Sequence, residues 1–163
     1  MRKTIQLSLT GVSEVQLSYK SRVPASLRKK ISCSRDAYNL FSVGWNSSTL
    51  EFVEEFKILL MNRSNSVLGI LEVSKGGLSG TVTDVRLIFQ AAIKTCASGI
   101  IVAHNHPSGN LNPSESDTKI THKIKEAGNL MDIQLLDHLI LTTEGNYYSF
   151  ADMPSKRSGM VIM

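Results

Sequence analysis

The chain has 163 residues, of which 42% are hydrophobic and 20% are charged, with a net charge of +4. This length suits one domain with a single core, and the ordinary composition excludes collagen-like and low-complexity chains. We find no apolar run that could span a bilayer and no signal peptide. The two cysteines, Cys33 and Cys96, form no framework or C-x-x-C pair. We therefore expect a cytoplasmic protein without a membrane partner.

The positive charge is concentrated at the N-terminus. Residues 1–35 contain eight Lys or Arg and one acid, Glu14, giving +7, whereas residues 36–163 contain ten basic and thirteen acidic residues, giving −3. A basic segment can bind nucleic acid or an acidic partner. A solvated arm is the simpler interpretation, because no aromatic residue that could stack on bases lies between Arg22 and Arg35. We therefore expect nucleic-acid binding to be weak.

The first half of the chain predicts a strand, a helix and a hairpin, in that order. Residues 12–19 alternate apolar and polar side chains, which is typical of a strand. Residues 32–45 predict a short helix that starts at a Ser or Asp and ends near Gly44. Residues 48–56 are ambiguous between a helix end and a strand start. Residues 56–73 then predict a β-hairpin.

The second half begins with a predicted amphipathic helix over residues 83–98, capped by Thr83 or Asp84. Its apolar face is predicted to contain Val85, Ile88, Phe89, Ala92, Ile93 and Cys96. The continuous apolar run that follows it, at 99–103, is typical of a central strand covered on both sides.

A second amphipathic helix is predicted to begin near Ser114 and to end around residues 128–129. Strands are predicted over residues 133–143 and 147–152, and the tail at 153–163 has no clear pattern. Helices and strands therefore alternate around one sheet, which indicates an α/β sandwich.

The predicted central strand ends in two imidazoles, within the stretch SGIIVAHNHPSGNLNPSESD. His104 and His106 are two residues apart, so they project to the same side if both lie on the strand. Asp117 follows the predicted N-cap Ser114 by three residues. It shares a helix face with the apolar residues Ile120, Ile124 and Ala127, so it is turned towards the core.

Two His and one Asp are the kind of three-ligand set that catalytic zinc uses, with water in the fourth position. A base must then take the proton of that water, and the nearby candidates are Glu51, Glu54 and Glu55. Each feature alone has a simpler explanation, because a His can end a strand and Ser-x-x-Asp can cap a helix. Their combination predicts a metal site.

These residues also carry a family resemblance. The H-x-H-P motif followed by S-x-x-D resembles that of the JAB/JAMM (MPN+) metallopeptidase-like domains, and more closely that of the RadC family within them. The resemblance extends from Glu51 to Asp152, through EEFKILLMNRSNSVLG, GGLSGTVTDVRLIFQAAI, ASGIIVAHNHPSGNLNPSESD and LLDHLILTTEGNYYSF. It implies a cytidine-deaminase-like fold, in which a mixed β-sheet lies between helices.

The resemblance also suggests a domain organisation. Residues 1–50 would form a basic N-terminal segment that packs on or leads into the core. Residues 51–152 would form the RadC-like JAB/JAMM domain, and residues 153–163 a C-terminal tail. RadC proteins usually carry a helix-hairpin-helix region as well. Too few residues precede the core here to hold one, so we expect a short form without it.

The resemblance further implies roles for individual residues. Zinc would be bound by His104, His106 and Asp117, and Ser114 would help to hold the oxyanion. The family's general acid/base glutamate stands two residues before the Phe that opens the first core strand, which selects Glu54. Glu55 would point to the opposite side of that strand.

Three further residues have simpler interpretations. Asp137 and His138 recur in this family within LLDHLI, but an Asp-His pair in a strand is more often structural. Arg86, early in its helix, is interpreted as an ion-pair partner without a chemical role.

Two functions of different classes remain open. The first is a JAMM-type zinc hydrolase, a metalloprotease that cleaves a peptide or isopeptide bond in an unidentified peptide or protein. The alternative is a DNA-repair or mobile-element accessory protein that acts on or near nucleic acid, with a structural or regulatory metal. A binding module that has lost turnover is disfavoured by the full ligand set. A nucleotide deaminase is disfavoured because H-x-E and P-C-x-x-C are missing.

Overall fold

The computed structural model describes residue 11, residues 15–76 and residues 83–152. The predicted tail at 153–163 lies outside these residues. The described part contains a short 3-10 helix, three α-helices and five strands. They are the 3-10 helix Ala25–Leu27, α1 Ser34–Gly44, β1 Glu55–Met61, β2 Val67–Lys75, α2 Val85–Lys94, β3 Gly99–Asn105, α3 Glu115–Leu130, β4 Gln134–Leu141 and β5 Tyr147–Ser149.

The strands form one mixed sheet in the order β2-β1-β3-β4-β5. β1 pairs antiparallel with both β2 and β3, so the predicted hairpin is confirmed. β3 pairs parallel with β4, and β5 returns antiparallel to β4. A parallel pair needs a crossover connection, and α3 supplies it. The prediction of an α/β fold with a mixed sheet is therefore confirmed.

Two apolar clusters cover the two faces of the sheet, because successive strand residues point to opposite sides. On one face, alternate residues of β1 and β3 pack against α2 and α3, around Ile58, Ile88 and Ile124. On the other face, the remaining residues of the same strands pack against α1, around Phe41 and Leu59. Helices on both sides therefore bury β1 and β3 completely, as their continuous apolar sequences require.

The end of α3 packs tightly against the chain that enters β4. A Cβ atom at Gly128 would overlap the backbone carbonyl oxygen of Ile133, which only glycine avoids. The backbone N–H of Ile133 donates to the carbonyl of Gly128 (2.9 Å), which closes this return. α3 is thereby held against the sheet at its C-terminal end.

The strand predicted over residues 12–19 is wrong in the part that the structure describes. Residues 15–19 have no regular secondary structure, and Val15 and Leu17 are 83% and 77% exposed. An alternating pattern produces a strand only where a neighbouring edge accepts its backbone hydrogen bonds. Here Tyr19 reaches the sheet through its side chain, whose hydroxyl donates to the carbonyl of Leu68 (3.0 Å).

The helix predicted over residues 83–98 is present but shorter. Asp84 caps α2 by accepting from the backbone N–H of Arg86 (2.9 Å), and the two side chains form the predicted ion pair (2.7 Å). The predicted apolar face is confirmed for Val85, Ile88, Phe89 and Ala92. It is wrong for Ile93, which is 54% exposed, and for Cys96, where a φ of 54° has already turned the chain out of the helix.

Three segments that are distant in the sequence meet at one end of the sheet. The register places Phe56, at the start of β1, directly opposite His104, near the end of β3. The N-terminus of α3 follows the loop that leaves β3. No helix of the described residues is long and apolar enough to cross a membrane.

Candidate metal centre

His104 lies on the face of the sheet that α2 and α3 cover. Its side chain is buried, and its ring stacks on that of its cross-strand neighbour Phe56, with 6.1 Å between centroids and 5° between planes. A buried imidazole needs partners for both ring nitrogens. Nδ1 contacts His138, and Nε2 faces the end of the sheet, where His106 and Asp117 lie.

His106 lies immediately after β3 and is held by two backbone groups. Its own N–H donates to the carbonyl of Leu141 (2.9 Å), and its Nδ1 lies 2.5 Å from the carbonyl oxygen of Asn110. A carbonyl only accepts hydrogen bonds, so Nδ1 of His106 carries the hydrogen. Nε2 of the neutral ring is therefore a lone-pair donor, and it points at the other side chains of the site.

Asp117 is placed by the N-terminal cap of α3. Its backbone N–H donates to Oγ of Ser114 (3.1 Å), and its Oδ2 accepts from the backbone N–H of Ser114 (2.7 Å), which is a capping box. The helix N-terminus also favours a carboxylate there. Asp117 is buried, as its apolar helix face predicted.

The three side chains converge on one point. Nε2 of His104 lies 2.9 Å from Nε2 of His106 and 3.1 Å from Oδ1 of Asp117, and Nε2 of His106 lies 3.5 Å from Oδ2 of Asp117. A carboxylate oxygen of Glu54 joins them, so that one ligand atom from each of the four residues lies within 4.8 Å of the others. This group could hold a metal ion.

The donor atoms fit a cation. Lone pairs of imidazole nitrogens and a carboxylate repel one another at these distances unless a proton or a metal ion lies between them. Imidazole ligands suit zinc and other transition metals, whereas calcium and magnesium prefer oxygen ligands alone. The chemistry of the site therefore favours a transition metal.

The pKa values reflect the same crowding. Burial raises the pKa of Asp117, but the adjacent imidazoles of His104 and His106, which donate to it when protonated, and the hydrogen bond from Ser114 outweigh burial and hold the pKa well below its usual range. Burial lowers the pKa of His106, but the protonated ring donates to Asp117 and to the Asn110 carbonyl, which gives a net increase in the pKa. A proton and a metal ion therefore compete for this cluster.

Among the three candidate acids, Glu54 is the one that the structure brings to the histidines. It is half-buried and precedes β1 by one residue, whereas Glu51 is exposed in the preceding turn. Glu55 is buried on the opposite side and forms ion pairs with Lys57 (3.0 Å) and Lys75 (2.9 Å). Burial raises the pKa of Glu55, but Thr49 and the two lysines outweigh it, so its carboxylate stays ionised within this cluster.

Asn105, between the two histidines, is a residue that the sequence analysis did not identify. Its side chain is buried on the opposite face from His104, where its Oδ1 accepts from the backbone N–H of Glu55 (2.7 Å). Its Nδ2 donates to the carbonyls of Leu50 and Val53 (2.8 Å each). Asn105 thus ties the end of β3 to the turn that carries Glu54. Because a buried amide needs hydrogen-bond partners, an Asn at the end of a predicted central strand was the signal in the sequence that could have indicated this role.

His138 contacts the site, although the sequence pattern indicated only a structural role for it. It is fully buried on β4, with Nε2 2.8 Å from Nδ1 of His104. Asp137 faces the other way and accepts from Ser149 Oγ (2.7 Å) and from two backbone N–H groups. Burial raises the pKa of Asp137 to about 6, despite these hydrogen bonds. The two neighbours therefore have separate roles.

Comparison with known proteins places this site in a family. The sequence profile of the RadC-like JAB domain matches residues 31–156. The chain belongs to the RadC-like JAB domain family. The matched region contains every element from α1 to β5, and with them His104, His106, Asp117 and Glu54.

Curated relatives agree with this assignment. The UPF0758 protein of Flavobacterium johnsoniae is 44% identical over 144 residues, covering 86% of this chain and 60% of the relative. The UPF0758 protein of Porphyromonas gingivalis is 39% identical over 148 residues, covering 89% of this chain and 63% of the relative. The RadC-like chain therefore spans about 60% of the length of these relatives, and their names state no activity.

The role of Asn105 is testable by substitution. Asn105→Ala leaves the buried N–H of Glu55 and two carbonyls without their partner, so we expect a loss of about 2–3 kcal/mol in the free energy of unfolding. Urea denaturation measures this loss, and faster hydrogen exchange at the Glu55 amide locates it. Asn39→Ala, at an exposed position of α1, should change stability by less than about 0.5 kcal/mol. Equal urea midpoints for the two variants would contradict the assignment.

Proposed function

We propose that this RadC-like JAB domain is a zinc-dependent hydrolase of the JAMM type, which cleaves a peptide or isopeptide bond. The observation that carries the proposal is the convergence of His104, His106 and Asp117, with Glu54 beside them at one end of the sheet. The three ligands come from the end of β3 and the start of α3, while Glu54 comes from a separate segment. This separation allows His104, His106 and Asp117 to bind the metal while Glu54 acts as a base without binding it.

In this proposal, Nε2 of His104, Nε2 of His106 and the carboxylate of Asp117 hold the zinc ion. Three protein ligands leave a fourth position for water. The bound ion would act as a Lewis acid and lower the pKa of that water to about 7. The apolar ring of Phe56, stacked on His104, shields the inner side of the cluster from solvent.

Glu54 acts as the general base and then as the general acid. Its carboxylate takes a proton from the attacking water and passes it to the leaving nitrogen of the substrate. The turn held by Asn105 positions this carboxylate beside the ligands without making it part of the buried ion-pair cluster around Glu55.

Ser114 stabilises the negative charge that develops on the substrate oxygen. Its Oγ accepts from the backbone N–H of Asp117 and its hydroxyl hydrogen can donate to the oxyanion. The side chain lies at the N-terminus of α3, whose partial positive charge favours the same anion. Ser114 is exposed, so a substrate can reach it.

The ligand assignment predicts about one zinc ion per chain in the wild-type protein. His104→Ala and Asp117→Ala should lose the ion, because each removes a lone pair directed at the centre. Metal analysis by mass spectrometry measures the content, and circular dichroism checks the fold. Asp117→Asn keeps an oxygen for the helix cap and separates loss of metal from loss of structure.

Glu115→Ala is the matched control for the zinc experiment. Glu115 lies in the same first turn of α3, but it is exposed and pairs with Lys119 (2.6 Å). It should retain wild-type zinc. Folded His104→Ala and Asp117→Ala proteins that contained as much zinc as the wild type would refute the ligand assignment.

The base assignment predicts that Glu54→Gln keeps zinc and stability but loses about 10²- to 10⁴-fold in hydrolytic rate. The rate is measured on substrates found by screening peptides and isopeptides with the wild type. Glu51→Gln, in the exposed turn, is the control and should leave the rate unchanged. Glu55→Gln is unsuitable as a control, because it removes the partner of buried Lys57. A wild-type rate for Glu54→Gln would exclude it as the base.

A second candidate function is a DNA-repair or mobile-element accessory protein. The observation in its favour is the run of exposed basic side chains before α1, which includes Lys20, Arg22, Lys29 and Lys30. In that role the metal would be structural or regulatory, and the protein would need contacts to DNA beyond the phosphate neutralisation that any basic segment provides.

DNA binding distinguishes the second candidate from a hydrolase whose basic segment is only a solvated arm. We expect weak, non-specific DNA binding whose affinity falls steeply between about 50 and 200 mM salt, since released counterions drive it. A gel-shift titration with two unrelated duplexes measures both properties. Sequence-selective or salt-insensitive binding would contradict this expectation and favour a dedicated nucleic-acid role over hydrolysis.

A further inference from the structure

A chain of hydrogen bonds runs behind His104, away from the proposed ligand position. Nδ1 of His104 lies 2.8 Å from Nε2 of His138, and Nδ1 of His138 lies 2.6 Å from Oγ1 of Thr121. The Thr121 hydroxyl also donates to the backbone carbonyl of Asp117 (2.5 Å). The side chains of His104, His138 and Thr121 are all buried. The chain therefore joins β3, β4 and α3.

The direction of the protons follows from the last acceptor. The carbonyl of Asp117 only accepts, so the single hydroxyl hydrogen of Thr121 is committed to it. Oγ1 of Thr121 must then accept from His138, which places the hydrogen of His138 on Nδ1. Nε2 of the neutral His138 ring is consequently an acceptor, and His104 donates to it through Nδ1. This leaves Nε2 of His104 with a lone pair that faces His106 and Asp117.

We propose that Thr121 and His138 are positioning residues that fix the tautomer of His104 for metal binding. Neither residue touches the metal or the substrate. The inference rests on the proposed metal-binding role of His104, and it assigns a reason for the buried histidine of β4. A metal-binding imidazole commonly donates its other N–H to a carboxylate, a carbonyl or water. His106 follows that rule through Asn110, whereas His104 uses a second imidazole.

The ring of His138 is fixed between aromatic neighbours. His138 lies between two phenyl rings, stacked on Phe150 (4.9 Å between centroids, 11° between planes) and tilted against Phe56 (5.7 Å). This packing holds the ring in the orientation that directs Nδ1 at Thr121 and Nε2 at His104.

The hydrogen-bond chain through His138 and Thr121, called the relay below, also couples two of the proposed ligands, His104 and Asp117. Its last bond ends on the backbone of Asp117, whose side chain faces His104 at 3.1 Å on the metal side. His104, His138, Thr121 and Asp117 therefore form a closed ring of contacts around the site. Loss of the Thr121 hydroxyl would free the hydrogen position of His138 and release the first turn of α3 from β4.

Nuclear magnetic resonance tests the relay directly in the metal-free protein. Long-range proton–nitrogen correlation spectra distinguish the two tautomers of each histidine. We expect a neutral His138 ring with its hydrogen on Nδ1 and a bare Nε2, and a hydrogen on Nδ1 of His104. A hydrogen on Nε2 of His138 would overturn the proposal. This readout does not depend on whether the protein binds zinc, so it remains informative if the proposed function fails.

Zinc affinity provides the second test, with a matched pair of substitutions. Thr121→Val keeps the shape of the side chain but removes the hydroxyl, and zinc affinity measured by chelator competition should fall about 10- to 100-fold. Thr121→Ser keeps the hydroxyl and should stay within about threefold of the wild type and retain the Nδ1 hydrogen on His138. Wild-type affinity in Thr121→Val, or equal losses in both folded variants, would refute the relay. Absence of zinc from the wild type would instead refute the proposed function.

Discussion

The antiparallel pairing of β1 with β3 is the constraint on which the site depends. It places Phe56 opposite His104, so the turn that precedes β1 lies beside the loop that follows β3. Glu54 and the two histidines meet for this reason alone, since nothing in the local sequence links them. A shift of one residue in this register would send the side chains of β1 to the opposite face of the sheet. The apolar clusters on both faces oppose such a shift.

The end of β3 uses the alternation of a strand to perform two tasks at once. His104 points towards α3 and joins the ligand cluster, whereas Asn105 points to the other face and binds the turn before β1. His106 continues beyond the strand and is fixed by backbone carbonyls instead. The contiguous His-Asn-His triplet thus consists of two imidazoles of the candidate metal centre, separated by an amide that binds the turn before the proposed base. This division explains why a strand end of three polar residues is stable in a buried sheet.

Polar groups in this part of the protein are organised in two separate networks. Glu55 forms ion pairs with Lys57 and Lys75 on the face of the sheet that α1 covers. These ion pairs keep the carboxylate of Glu55 away from the histidines. His104, His138, Thr121 and Asp117 form the other network, on the face of α3. Because each carboxylate has its own cationic or hydrogen-bonding partners, neighbouring acids one residue apart have different chemistry. Burial without partners would instead neutralise them.

The sequence by itself determined the α/β class, the hairpin, the helix that follows it and the inward face of Asp117, because hydrophobic period and helix caps are local properties. The family resemblance also selected Glu54, although composition alone cannot distinguish three glutamates that lie within five residues of one another. The sequence could not show that residues 15–19 lack a pairing strand, that Ile93 faces solvent, or that Asn105 and His138 support the site. Those properties depend on which strand lies beside which. Only the tertiary structure decides them, because a backbone edge, a buried amide and an imidazole acquire their partners from segments far away in the chain.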